Sequence, residues 1–228
     1  MQTVSVLLVS FLVFSSAFAS GIDVLPSGDV SAGLRQALNQ SASAAVDKLG
    51  VANGFLDNPK VRIPLPGPLQ KAEGVMRTLG ANKPVDNLIV SMNRAAEVAA
   101  AEAKPLLLDA IEKMSVEDAR KIVTGGDDGA TQYFRNATSE TLAQKFLPIV
   151  KNATDQAGVL KKYNEFAGKG AKFGLIAEKD ASIENYVTQK IMDGLYLMMA
   201  EEERAIRTNL MGQTKELQSI FGALKPSR

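Results

Sequence analysis

Apolar residues recur at three- and four-residue spacing along almost the whole chain, and runs of alternating β-branched residues are absent. That period belongs to helices, so the expected fold class is all-α. Glycine and proline divide the pattern into segments. Asp29 reads as the N-cap of a helix running to about Leu49, with Gly50 as its stop. Pro68 or Leu69 opens a short helix ending at Gly80, and a longer one follows from about Pro84 to Lys104. Pro105 kinks that helix or begins another through Met114. Ser115 with Asp118 three residues on resembles a capping box, Asp replacing the usual Glu, for a helix that stops at Gly125-Gly126. Further helices are expected from Asp127 or Asp128 and, capped by Thr138, through a bend at Pro148. Gly158 and the cluster Gly168, Gly170 and Gly174 mark more breaks. A long element spans about Ser182 to Arg207, and a short one about Gln213 to Phe221. The sum is a bundle of eight to ten helices. No Ser/Gly- or Pro-rich linker divides it, so residues 20–228 read as one domain.

The exception to the helical pattern is Val51 to Pro68. Within it, Arg62-Ile63-Pro64-Leu65-Pro66-Gly67-Pro68 cannot be helical, because each proline pushes its predecessor towards extended geometry. It is expected to lie as an apolar strap across the bundle. A ligand for a proline-binding groove is the alternative.

Two helices carry apolar residues nearly all round. Val85, Leu88, Ile89, Met92, Ala96, Ala99 and Ala103 share one face, and Val90, Val98 and Ala101 fall opposite, which predicts packing on both sides. Leu195 to Ala200 likewise covers every direction. On a helix buried that way, Asn93, Arg94 and Glu97 form an internal polar network in which every member needs a partner. A ligand-contacting role is the alternative. Glu201, Glu202 and Glu203 cannot share one solvent face. Glu203 is spaced to pair with Arg207, and at least one of the three is expected to be partly buried, a position from which a carboxyl can act as a general acid.

The first nineteen residues differ from the rest. They hold no charge, Val4 to Phe14 form an apolar run too short to cross a bilayer, and Ala17-Phe18-Ala19 is a small-x-small cleavage signature. Residues 1–19 therefore read as a signal peptide cleaved after Ala19, giving a secreted or periplasmic protein. Three Asn-x-Ser/Thr sequons, at Asn39, Asn136 and Asn152, are candidate glycosylation sites. No later stretch is long and apolar enough to span a membrane.

Composition narrows the chemistry. The chain has 228 residues, no His, no Cys and no Trp. Imidazole- and thiol-based catalysis, disulfides and the usual zinc or haem ligand sets are excluded, and no cofactor is expected. A formal net charge of +1 gives no reason to expect a nucleic-acid partner. Gly125-Gly126-Asp127-Asp128-Gly129 sets two carboxylates on a Gly-rich turn. They are candidates for a hard cation, although the spacing fails the calcium-loop pattern, and a helix-capping turn is the plainer reading. The Gly168 to Gly174 stretch misses the dinucleotide fingerprint by one position.

A set of short motifs occurs in one order: Phe55-Leu56 with Ile63-Pro64-Leu65-Pro66, Asn93-Arg94-Ala95-Ala96-Glu97, Asp109-Ala110-Ile111, and Thr124 to Phe134. Phe146 to Val150, Asp193-Gly194-Leu195-Tyr196 and Ile206-Arg207 complete it. Together, over about Asp29 to Phe221, they resemble the family known as domain of unknown function 4197. Tyr196 and Leu210 depart from the family's usual Phe and Pro. The resemblance implies a helical protein exported by bacteria with no assigned activity; it transfers no catalytic residue, but marks Asn93-Arg94-Glu97 and Asp127-Asp128 as shared features. The expected function is non-enzymatic, by binding or as a structural component, with the partner open. The alternatives are a carrier of a small hydrophobic ligand or lipid, and a carboxylate-dependent hydrolase of envelope or matrix glycans.

Overall fold

A computed structural model of the chain describes residues 27–80, 82–154 and 182–208. Every regular element among them is helical: α1 (Ser27–Leu49), α2 (Gly67–Thr78), α3 (Asn82–Ala101), α4 (Lys104–Glu112), α5 (Val116–Thr124), α6 (Gly129–Thr154) and α7 (Ile183–Thr208). That falls short of the eight to ten helices expected. The expected leader, the breaks at Gly158 to Gly174 and the helix at Gln213 to Phe221 lie outside the described residues.

Most boundaries follow the local chemistry. Pro105 sits in the first turn of α4, where its missing N–H costs nothing. Ser115 caps α5 with both halves of the box: its hydroxyl accepts from the Asp118 amide, and the Asp118 carboxylate accepts from the Ser115 amide. The Ser182 hydroxyl accepts from the Asn185 amide ahead of α7. Two expectations fail. α1 begins ahead of Asp29. Thr138 caps nothing, because α6 runs unbroken from Gly129 through Pro148 to Thr154. The Thr138 hydroxyl bonds back to the Phe134 carbonyl and meets the Tyr196 hydroxyl at 3.0 Å, satisfying a mid-helix threonine without ending the helix.

The core forms where α6 and α7 pack on each other and on α3 and α1. α6 buries Ala130, Phe134, Thr138, Leu142, Phe146, Val150 and Thr154, a ridge at four-residue spacing suited to interdigitation with its neighbours. α7 buries nearly all of Leu195 to Ala200, Leu197 excepted. Met198 and Met199 belong to the core itself. α3 corrects the prediction of packing on both sides. Its Met92, Ala95, Ala96 and Ala99 are buried, but Val90 and Val98 are 41% and 58% exposed. The alanine face lets neighbouring backbones approach closely, so one broad face is enough to anchor the helix. No helix among the described residues is long and apolar enough to cross a membrane.

Residues 50–66 carry no helix, yet Phe55, Val61, Ile63 and Leu65 are buried. Phe55 lies where α7 has Gly194. A Cβ there would stand 2.9 Å from the Phe55 ring and 3.3 Å from Val61, so only glycine lets the loop approach.

Candidate functional site

Two buried carboxylates organise the polar interior, and each is paired with an arginine one turn away on its own helix. The first is Glu97 on α3, with a side chain 6% exposed. Its Oε1 accepts from the amides of Phe55 and Leu56, and its Oε2 from Arg94 Nη1 at 2.6 Å. Arg94 Nη2 also donates to Asn53 Oδ1 at 2.7 Å. Asn53 holds a left-handed conformation, φ 71°, which asparagine tolerates better than most residues. One turn earlier, Asn93 is completely buried and pairs with Ile63 as a neighbouring strand would. Its Oδ1 accepts from the Ile63 amide at 2.8 Å, and its Nδ2 donates to the Ile63 carbonyl at 2.9 Å. Glu97 and Arg94 thus share one set of bonds to the 53–56 loop, while Asn93 separately holds Ile63. The Arg94 side chain is 43% exposed and sits at the rim, because the face of α3 that carries it is open to solvent.

The second carboxylate is Glu203 on α7, also with a side chain 6% exposed. It accepts from the Ala130 amide, the Thr131 amide and the Thr131 hydroxyl, each at 2.9 Å. Arg207, 12% exposed, donates to Glu203 Oε1 at 2.8 Å and to the Ile122 carbonyl at 3.0 Å. The pair thus joins the start of α6 to the end of α5. This corrects the reading of Asp127 and Asp128 as the cap of α6: a carboxylate delivered by a distant helix binds the first free amides there. The Gly125–Gly129 turn makes room for it. A Cβ on Gly129 would lie 2.9 Å from the Ile122 carbonyl oxygen, whereas one on Gly126 would meet nothing within 4 Å.

Asp127 and Asp128 are both exposed, and Asp128 accepts from Gln132 Nε2 at 3.1 Å. Among the described residues no group of three or more His, Cys, Asp or Glu is placed to hold a metal. The other two glutamates of the triplet face outward: Glu201 pairs with Lys60 at 2.8 Å and Glu202 with Lys48 at 2.5 Å. Asn39, Asn136 and Asn152 are all exposed on helices.

Between α5 and the first turns of α6 lies a cleft of about 590 Å³. Asp118 and Lys121 line it from α5, Asp128 from the turn just before α6, and Gln132, Tyr133 and Asn136 from α6. The Asp118 carboxyl is held below the ordinary carboxylate range by its hydrogen bonds to the Ser115 side chain and backbone. Burial and the nearby Asp118 charge push the Tyr133 phenol up, and its hydroxyl donates to the Ala110 carbonyl at 2.8 Å.

Sequence reasoning named Glu203 and Arg207 but not their targets, and it missed Arg35 altogether. The Arg35 guanidinium, on α1, donates to the carbonyls of Ile111, Glu112 and Met114 and closes the C-terminal end of α4. A lone arginine between Leu34 and Leu38, both buried, was the available signal.

These features define an all-helical protein in which side chains clamp irregular backbone and helix ends to the core. The chain belongs to the family described as protein of unknown function (DUF4197), whose model matches residues 24–222. No curated protein and no solved structure matches it.

Proposed function

We propose that this is an exported, single-domain, non-enzymatic binding protein. The mature chain starts after cleavage behind Ala19, the segment around Pro64 and Pro66 straps α3 and α7, and the cleft between α5 and α6 is the binding surface. The observation that carries this reading is the use made of the two buried carboxylates. Glu97 and Glu203 each accept from two backbone amides and an arginine. Groups held in that way fix the scaffold: each is buried, spent mainly on backbone donors, and absent from the lining of the cleft. The cleft carboxylate of Asp118 is held ionised by Ser115, the opposite of what a general acid needs. Burial of Met198 and Met199 in the core speaks for packing over a lipid-lined cavity.

Native mass spectrometry of the protein recovered from its exported compartment tests the reading. A copurifying non-lipid adduct, with no substrate turned over, is the expected result. A bound lipid would favour the carrier. Turnover abolished by Asp118→Asn or Asp128→Asn would establish the hydrolase.

A further inference from the structure

Resting on the binding reading above, the lining of the cleft specifies a class of ligand. Asp128, immediately before α6, and Gln132 and Asn136 on it follow one another at four-residue spacing, and so form one polar row on the cleft wall. Asp118 and Lys121 lie on the opposite wall, on α5. The row is partly fixed in advance: Gln132 Nε2 is held by Asp128, and Asp118 by Ser115. Carboxylates only accept, an ammonium only donates, and carboxamides do both. An inorganic anion would meet two carboxylates, and the start of α6 offers it nothing, since the Ala130 and Thr131 amides already bind Glu203. A purely cationic ligand would meet Lys121. Hydroxyl groups donate and accept together, so a ligand carrying several of them matches each of these polar side chains. The C–H faces of a sugar ring suit Ile122, Ala137 and the Tyr133 ring beside them. The volume, about 590 Å³, falls inside the roughly 300–1,000 Å³ range of small-molecule sites.

We propose that the α5–α6 cleft binds a neutral, polyhydroxylated ligand, a short oligosaccharide, through Asp128, Gln132 and Asn136 on one wall and Asp118 and Lys121 on the other. Gly126 provides the control. It lines the cleft, and an added Cβ there meets open space, so Gly126→Trp fills the cleft without disturbing the core. Asn136 must be bare, because a glycan on that sequon would occupy the same space.

The test is a titration of the isotope-labelled full chain, produced in bacteria, followed by amide NMR. The probes are maltotriose, chitotriose, inorganic phosphate and trilysine. The expected result is that a neutral trisaccharide shifts the amides of Gly125, Gly126, Gln132 and Asn136. Gly126→Trp should weaken that binding at least tenfold, as should Gln132→Ala, with both variants retaining the wild-type far-ultraviolet spectrum. If either variant unfolds, Asn136→Ala on the exposed face replaces it. Shifts produced by phosphate or trilysine alone would overturn the ligand class and leave a binding protein standing. Sugar-induced shifts confined to other surfaces would overturn the site. No response to either trisaccharide would overturn the proposal, while native mass spectrometry would still decide whether the protein binds anything at all.

Discussion

Glu203→Ala is the substitution from which the structure predicts most. The carboxylate it removes accepts from two buried amides, Ala130 and Thr131, and from the Thr131 hydroxyl, and is paired with Arg207. An orphaned buried donor costs about 1–3 kcal/mol, and losing a helix N-cap about 1 kcal/mol. Water entering the truncated site recovers part of this, which leaves a net loss of about 3 kcal/mol. For a chain of this size, that corresponds to a fall in Tm of roughly 6–12 °C. The neighbouring Glu201 is the internal control. Its ion pair with Lys60 stands at the surface, and Glu201→Ala should cost under about 1 kcal/mol. Urea unfolding of the full chain, followed by circular dichroism, measures both. A Glu203→Ala cost below about 1 kcal/mol, or one equal to that of Glu201→Ala, would refute the claim that this carboxylate holds α6 in place.

Other predictions follow from the same geometry. Asn93→Ala removes both hydrogen bonds to Ile63 and should destabilise by about 2–4 kcal/mol, with limited proteolysis cutting first within residues 50–66. Gly194→Ala forces a methyl to 2.9 Å from the Phe55 ring and should cost about 1–3 kcal/mol by thermal melting, whereas Gly126→Ala should change little. Ser115→Ala should cost about 1 kcal/mol at neutral pH. Because Ser115 lowers the Asp118 pKa in the folded state, the stabilisation is fully present above the ordinary carboxylate range. That charge-dependent part is lost as pH falls through the folded value. The gap between wild-type and variant melting curves should therefore narrow in acid without closing, because the bond from the Asp118 amide to the Ser115 hydroxyl does not titrate.

The sequence was most legible where structure is decided within a few residues. Pro105 at the start of α4, the Ser115–Asp118 box and the stop at Gly125 all depend on local backbone chemistry, and all stand in the structure. The Glu203–Arg207 pair was readable too, as one turn of a helix. Its purpose was not, because the amides it binds lie 72 and 73 residues away along the chain. The same holds for Asn93, whose partner Ile63 is set by tertiary packing. Thr138 misled because a threonine that caps a helix and one that bonds back to the preceding turn look alike in sequence. The Tyr196 hydroxyl that completes its bonding comes from α7. Arg94 reads as interior because helical-wheel angles register two apolar faces without revealing that one of them, carrying Val90 and Val98, is left exposed.

Hydrogen exchange at the first turn of α6 bears most directly on the account. The leading amides of a helix ordinarily have no internal partner and exchange quickly. Here those of Ala130 and Thr131 are predicted to be protected nearly as well as the core of α7, and to lose that protection selectively in Glu203→Ala. Exchange in the wild-type protein as fast as at the exposed Gly126 would contradict the account, since the buried carboxylate would then not be holding the backbone.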